Sequence, residues 1–255
     1  YIGDSETPTR LLEELLDNSL DEVLHGECRV IGVFIDTKNN TFKVLDNGRG
    51  FPFDQSLPLD KDPPVLSATR LFTSGKFNKG QTDSAYGVAA GLHGIGLVAC
   101  FALSEWMNID IYKDGKYGTY EFKHNGDINR KEEKYKKEEL KVPYSTKIEV
   151  KPSKQYFTTN KINISEIEER LNIAVANFPN LKIIFRIDED DKIIKGNLKE
   201  LLLDKLSPET EWITFEDKKI SETYHIELGW SDQPPNSLKT YTTVNLCHVL
   251  EGTHI

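Results

Sequence analysis

A strand-forming run at residues 41–45 leads directly into Asp46-Asn47-Gly48-Arg49-Gly50-Phe51-Pro52. The glycines permit a backbone path that β-carbons would obstruct and let another group approach the chain closely. Taken alone, D-x-G-x-G is more often a hairpin turn than a site. Its neighbours narrow the reading. Upstream, residues 9–25 place Leu11, Leu12, Leu15, Leu16, Leu20, Val23 and Leu24 at helical spacing, with Gly26 as the stop. On that helix Glu14, Asn18 and Asp21 share the side opposite much of the leucine stripe. Asn is a weak former in mid-helix, so Asn18 fits either a solvated face or a carbonyl oxygen offered to a hard cation. Downstream, Gly91-Leu92-His93-Gly94-Ile95-Gly96 opens into an apolar helix over 95–103, where amides uncovered by glycine suit a phosphate. A lone Gly-x-Gly is as readily a flexible loop, and Asp46 at the strand end is an acceptor that suits an amino group.

The rest of the chain reads as a mixed fold. Strands are expected at 29–36, 106–112, 117–124, 147–150 and 182–187, with hairpin connections at Thr37-Lys38-Asn39-Asn40 and Asp114-Gly115. Residues 51–63, rich in Pro and Asp, read as loop; 65–72 reads as a short helix, and 164–178 as a helix started by Ser165. Six glycines between 74 and 96 are too many for a regular element. The mixed charges of 131–141 read as a solvated loop or surface strand. Past residue 200 the pattern changes to strands at 224–230 and 240–247, so a first domain over 1–200 and an incomplete second one over 201–255 are expected. A chain of 255 residues has room for one full domain and part of another.

Composition excludes several functions. With 38% hydrophobic residues and no apolar run near the roughly 20 residues that span a bilayer, the chain has no membrane signature. A formal charge of −9 argues against this segment gripping a phosphate backbone. Cys28, Cys100 and Cys247 are odd in number and lack metal-ligand spacing, which reads as reduced thiols in a cytoplasmic protein. The start at Tyr1-Ile2-Gly3, without an initiator Met, reads as a piece of a longer chain.

Asp17-Asn18-Ser19-Leu20-Asp21-Glu22, the Asp46–Pro52 motif, Ser74-Gly75-Lys76-Phe77, the 91–96 loop and the closing Glu251-Gly252-Thr253-His254 together resemble one family. It is the GHKL ATPase superfamily of gyrase B subunits, heat-shock chaperones, MutL and sensor histidine kinases, and within it the type II DNA topoisomerases of the gyrase B and ParE class. The resemblance implies an α+β fold, a two-layer sandwich of helices over a mixed, largely antiparallel sheet, followed by the start of an α/β transducer domain. It makes Glu14 the general base, Asn18 the magnesium ligand and Asp46, supported by Thr146, the reader of the adenine amino group of ATP. Gly50, with Pro52 of the same motif, would line the nucleotide pocket, and Arg49 would pair with Glu22 at its rim. Lys76 and the amides of Gly91, Leu92, His93, Gly94, Ile95 and Gly96 would hold phosphates. The resemblance also implies a homodimer on ATP binding, DNA and a DNA-cleaving subunit or domain as partners, and aminocoumarin-type inhibitors at the ATP site.

Some positions depart from the family pattern. Arg10 stands one turn before Glu14 where gyrase B subunits often carry His, Ser145 replaces the glycine before Thr146, and Lys113 stands for an arginine that contacts aminocoumarins. Glu251 replaces the first glycine of Gly-Gly-Thr-His, which with Arg10 leans toward phage-type or eukaryote-like relatives. Two rival readings remain. One is a MutL-like or chaperone ATPase, which the 91–96 loop does not resemble; the other is a nucleotide-binding interaction module that has lost catalysis.

Overall fold

The computed structural model describes residues 6–54, 56–71, 95–131, 144–197 and 200, together with the backbone alone of 132, 212–221, 224–231, 242–244 and 247–249. The chain begins with a 16-residue helix, α1 (Thr9–Leu24), closed by Gly26 in the left-handed region, φ +76°. A hairpin follows, β1 (Val30–Asp36) and β2 (Thr41–Asp46), whose connection is held by the Asp36 carboxylate accepting from the amides of Lys38 and Asn39. Helix α2 (Pro63–Thr69) begins two residues ahead of the expected 65, since proline is tolerated in the first turn, where its missing N–H has no partner to lose. Helix α3 (Gly96–Ala102) leads into β3 (Ser104–Lys113) and β4 (Lys116–Lys123). Their turn, Asp114-Gly115, has positive φ at both residues, as the tight hairpin requires.

Strand β5 (Ile128–Glu132) takes in the start of the charged run, and 133–143 lie outside the described residues. After β6 (Thr146–Pro152) the chain crosses through α4 (Ile164–Asn177) to β7 (Lys182–Ile187) and β8 (Asp190–Ile194). The cap of α4 is Asn163 rather than Ser165: the Asn163 side chain accepts from the amide of Glu166, and Ser165 Oγ donates to it. A side-chain oxygen three residues before the amide has the cap geometry, and Ser165 sits two residues too late. Farther on, β9 (Trp212–Ser221) pairs with β10 (Tyr224–Ser231), and β11 (Thr242–Val244) with β12 (Cys247–Val249).

Eight strands form one sheet in the order β5-β4-β3-β6-β2-β1-β7-β8. Every pairing is antiparallel except β1 with β7, the pair made by the helical crossover. Alternate strand residues, among them Ile31, Val33, Val44, Ile109, Ile148 and Phe185, join one apolar cluster with Leu11, Leu15, Leu97 and Leu171 from the helices. The helices thus cover one face. The other carries cross-strand ion pairs, including Lys43 with Glu149, Lys147 with Asp110 and Lys131 with Glu121. An antiparallel sheet with one wet face is the expected arrangement of such a pattern. On the wet face Arg186 stacks 4.8 Å from the Phe34 ring.

One buried carboxylate fixes the loop that leaves the D-x-G-x-G motif. Asp62, fully buried, accepts from Tyr120 Oη at 2.7 Å, Arg130 Nη1 at 2.8 Å and the Asp54 amide at 3.0 Å. Burial and the Asp62 contact push the Tyr120 hydroxyl well above its ordinary range. Replacing Asp62 with Ala leaves the buried Tyr120 hydroxyl without its acceptor and the half-buried Arg130 guanidinium without its counter-charge, with only the Leu57 carbonyl still accepting from it. Chemical denaturation of Asp62→Ala is therefore expected to show a loss of about 3–5 kcal/mol, with Asp62→Asn losing less.

Candidate active site

Helix α1 is buried on nearly all sides; a row at four-residue intervals runs through Arg10, Glu14, Asn18 and Glu22, of which Glu14 is buried and the other three reach solvent. Asn18 is the one exposed residue on the helix, and its side-chain amide has no partner among the described residues. Asp21, expected beside Glu14 and Asn18, is buried instead, and Glu22 occupies the row. The reason is angular: four-residue steps stay on one stripe, whereas a step of three drifts off it.

Glu14 is held from two sides. Its Oε1 lies 3.1 Å from Arg10 Nη2, yet that buried oxygen accepts no aligned hydrogen bond among the described residues. Its Oε2 lies so close to Gly96 that a β-carbon there would meet it at 2.4 Å. Gly96, the first residue of α3, therefore makes room for the carboxylate. Cys100 Sγ, also on α3, donates to the Leu11 carbonyl of α1 and fixes the two helices against each other.

At the other end of the row, Glu22 grips the D-x-G-x-G loop. Arg49 meets it through Nε at 2.9 Å, Nη2 at 2.7 Å and its amide at 3.0 Å. A β-carbon on Gly48 would fall 2.9 Å from Glu22, and one on Gly50, at φ +76°, would fall 3.0 Å from the Tyr112 carbonyl oxygen. Both glycines are thus required for close packing as well as for backbone path. Lys113 Nζ donates to the Gly50 carbonyl at 3.3 Å. Pro52 is exposed, while Phe51 and Phe53 on either side pack on the core.

Asp46 lies between the two, at the end of β2. It is buried, with Oδ2 accepting from Ser19 Oγ at 3.1 Å and Oδ1 from the Gly48 amide at 3.0 Å. Burial outweighs those bonds and pushes its carboxyl up to about 6. Thr146 stands opposite Asp46 in the sheet register, and the neighbouring Ser145 amide donates to the Asp46 carbonyl at 2.7 Å. The sheet therefore brings Thr146 to Asp46 across 100 residues of sequence.

Ile95 and Gly96 are described, whereas Lys76, Gly91, Leu92, His93 and Gly94 lie outside the described residues. Among the described residues no group of three His, Cys, Asp or Glu side chains is arranged to hold a metal. Sequence reading missed three participants. Ser19 supports Asp46, and its signal was a serine in mid-helix beside Asn18. Asn47 accepts through Oδ1 from the amides of Arg29 and Val30 and so ties the loop to β1. Arg170, on α4, reaches Glu13 at 3.4 Å and also pairs with Asp17, and nothing in its own segment announces that role. Burial pushes the Asp17 carboxyl up, and Arg170 offsets this only in part.

Residues 3–151 match the family described as histidine kinase-, DNA gyrase B- and HSP90-like ATPases. The chain belongs to this family. Among its relatives, the B subunit of DNA topoisomerase 4 from Mycoplasma capricolum is 30% identical over 100% of this chain and 40% of that protein. The B subunit of DNA gyrase from Borreliella burgdorferi is 31% identical over 96% of this chain and 39% of that protein. The chain thus spans about 40% of the length of these relatives. The 43K ATPase domain of Thermus thermophilus gyrase B, solved with an aminocoumarin, shares the fold with a TM-score of 0.63 at 22% identity, over 90% of this chain and 58% of that one. A Francisella tularensis topoisomerase IV ATP-binding domain, solved with a small-molecule inhibitor, gives 0.62 at 24% over 85% and 57%. Among the described residues no helix is long and apolar enough to cross a membrane.

The Glu22–Arg49 clamp has a defined pH signature. Burial raises the Glu22 carboxyl, but the Arg49 hydrogen bonds outweigh it and leave the group below its ordinary 4.5. A depressed folded value means the contribution is present above pH 4.5 and lost as pH falls through the folded value. The stability difference between wild type and Glu22→Gln, read by urea titration, is expected to be constant near neutrality and to shrink below that pH.

Proposed function

We propose that this chain is the ATP-binding and ATP-hydrolysing region of a type II DNA topoisomerase subunit of the gyrase B and ParE class. Residues 1–200 would form the ATP-binding domain and 201–255 would begin the transducer. The observation that carries the reading is the row on α1: among the described residues a buried Glu14 oxygen lacks an aligned hydrogen bond and the Asn18 amide lacks a partner, with Ser19 of the same helix donating to Asp46. Polar groups left open along one stripe of an otherwise buried helix suit a ligand that completes them.

In this reading the adenine amino group donates to the Asp46 carboxylate, which Ser19 and the Gly48 amide hold in place, with Thr146 alongside. Gly50 and Pro52 line the base end of the pocket, and Arg49, fixed by Glu22, stands at its rim. The amides of 91–96 and Lys76 hold the phosphates. Asn18 presents a carbonyl oxygen suited to magnesium, which usually takes one or two protein ligands and the substrate phosphates rather than a protein cage. Magnesium, when bound, would neutralise phosphate charge. Glu14 orients the attacking water and takes its proton, and positioning supplies most of the rate. ATP binding would join two copies into a gate for DNA captured with a DNA-cleaving partner, in a soluble cytoplasmic enzyme. Aminocoumarin-type inhibitors would enter the same pocket, with Lys113 at its mouth.

Calorimetric titration with a non-hydrolysable ATP analogue and magnesium is expected to give saturable binding that Asp46→Asn and Asn18→Ala both weaken. A folded wild type that binds nothing overturns the site. Asp46 also sets a pH dependence: below its value of about 6 the accepting carboxylate is lost, so affinity falls with pH, and Asp46→Asn flattens that part of the profile. Stability runs the other way. The folded value lies above the ordinary 3.8, so ionised Asp46 costs stability as pH rises from 3.8 to about 6. Asp46→Asn without nucleotide is expected to be more stable at pH 7, by about 1–2 kcal/mol, with the gain gone below pH 3.8.

Kinetics separate an ATPase from a module that only binds. In the protein at its full natural length, Glu14→Gln is expected to lower kcat for ATP by roughly 10²–10⁴-fold while leaving analogue affinity intact. Equal turnover by wild type and Glu14→Gln would favour the binding module.

A further inference from the structure

We infer that Arg170, on α4, positions Glu14 for hydrolysis by occupying Glu13 and Asp17, so that Arg10 remains shared between Glu13 and Glu14. The inference rests on the assignment of Glu14 as the base. Its ground is a chain of buried charges that crosses from one helix to the other. Arg10 spans two neighbours, with Nη1 on Glu13 at 2.9 Å and Nη2 on Glu14 at 3.1 Å. Glu13 uses its second oxygen for Arg170 Nη1 at 3.4 Å, and Arg170 Nη2 pairs with Asp17. The side chains of Glu13, Asp17 and Arg170 are at most 12% exposed, so water screens little of this.

Two guanidinium groups thus serve three carboxylates. Without Arg170, Glu13 and Asp17 keep their charge in a poorly solvated place, and among the described residues Arg10 becomes the only cation paired with Glu13 and Glu14. A single guanidinium placed between two carboxylates moves toward the one that has lost its other partner. Glu13 wins Arg10, and Glu14 loses its hold on that side. On its other side Glu14 has the Gly96 backbone, which limits where the carboxylate can go but offers no opposite charge to hold it. Arg170 is a positioning residue in this scheme, since it acts on Glu14 only through Glu13 and Arg10.

The scheme makes a prediction that simple destabilisation does not. Removing the charge of Glu13 in an Arg170 variant releases Arg10 to Glu14, although Asp17 is still left without its partner. The test uses the protein at its full natural length and compares wild type, Arg170→Lys, Arg170→Met and each combined with Glu13→Gln. Turnover of ATP, affinity for a non-hydrolysable analogue and thermal unfolding are measured for each. Both Arg170 variants are expected to lose roughly tenfold in kcat with analogue affinity within about twofold of wild type, and Glu13→Gln is expected to restore most of kcat without restoring Tm.

Arg170→Lys keeps the charge but reaches only one of the two carboxylates, so it decides the matter alone if Arg170→Met does not fold. Unchanged kcat in a folded Arg170→Lys overturns the inference, as does a parallel loss of kcat and affinity, or a rate that Glu13→Gln does not recover. A wild type without hydrolysis, or a Glu14→Gln that matches it, overturns the role of Glu14 itself and takes this inference with it.

Discussion

Helix α1 is pressed between the apolar face of the sheet and helices α3 and α4, and 12 of its 16 residues are buried. Its sequence carries Glu13, Glu14, Asp17 and Asp21 into that environment. Removing a carboxylate from water costs several kcal/mol unless charge and hydrogen bonds replace the lost hydration. Much of the local architecture answers that demand. Arg10 comes from the same helix and Arg170 from the crossover helix, and Ser19 turns inward to serve Asp46 on the adjacent strand. Glu14 is the exception, with an oxygen that the described residues leave without an aligned hydrogen bond. The leucines make α1 a core element, and the core position in turn gives its few open polar groups a fixed geometry.

Local signals carried much of this into the sequence. The leucine period, Gly26, Asp114-Gly115 and the strand alternation each specify an element within a window of a few residues, and up to residue 187 the expected strands form close to their places, whereas the single strand expected over 240–247 gives way to β11 and β12. The resemblance named Glu14, Asn18 and Asp46 together, and the structure sets the first two in one row of α1 and ties Asp46 to that helix through Ser19. Contacts between distant segments were not. Arg170 lies 157 positions from Glu13, and an arginine on a polar helix face carries no mark of a buried destination. Asp21 failed for another reason: helical spacing fixes angles, but a helix buried on most sides leaves few of its angles open. Helix α4 starts at Ile164 as expected, but its cap lies two residues earlier than Ser165, because Asn163 and Ser165 are both good caps and only backbone geometry chooses between them.

The two halves of the site depend on different kinds of order. Asp46, Thr146 and Gly50 are fixed by the sheet, whose register aligns β2, β6 and β3 and whose hydrogen bonds hold the strand ends. Glu14 and Gly96 depend on one helix lying against another, with Cys100 and Leu11 as the tie. A strand register can change only by whole residues, whereas helix contacts can slide by fractions of an ångström. In the proposed reading the base-recognition end is thus the rigid part and the hydrolytic end the adjustable one.

The buried carboxylate of Asp46 also bears on how such a chain changes over time. A buried acid that is harder to ionise than in water, yet ionised at neutral pH, works against the stability of the empty protein, so amide or apolar replacements at that position would be favoured by folding alone. Only a ligand that uses the carboxylate holds it in place. In a lineage released from nucleotide binding, drift would reach position 46 early and leave the leucines of α1 and the sheet untouched. The fold would persist as a scaffold after its chemistry had gone, and the identity of that one residue would tell a working descendant from a relic.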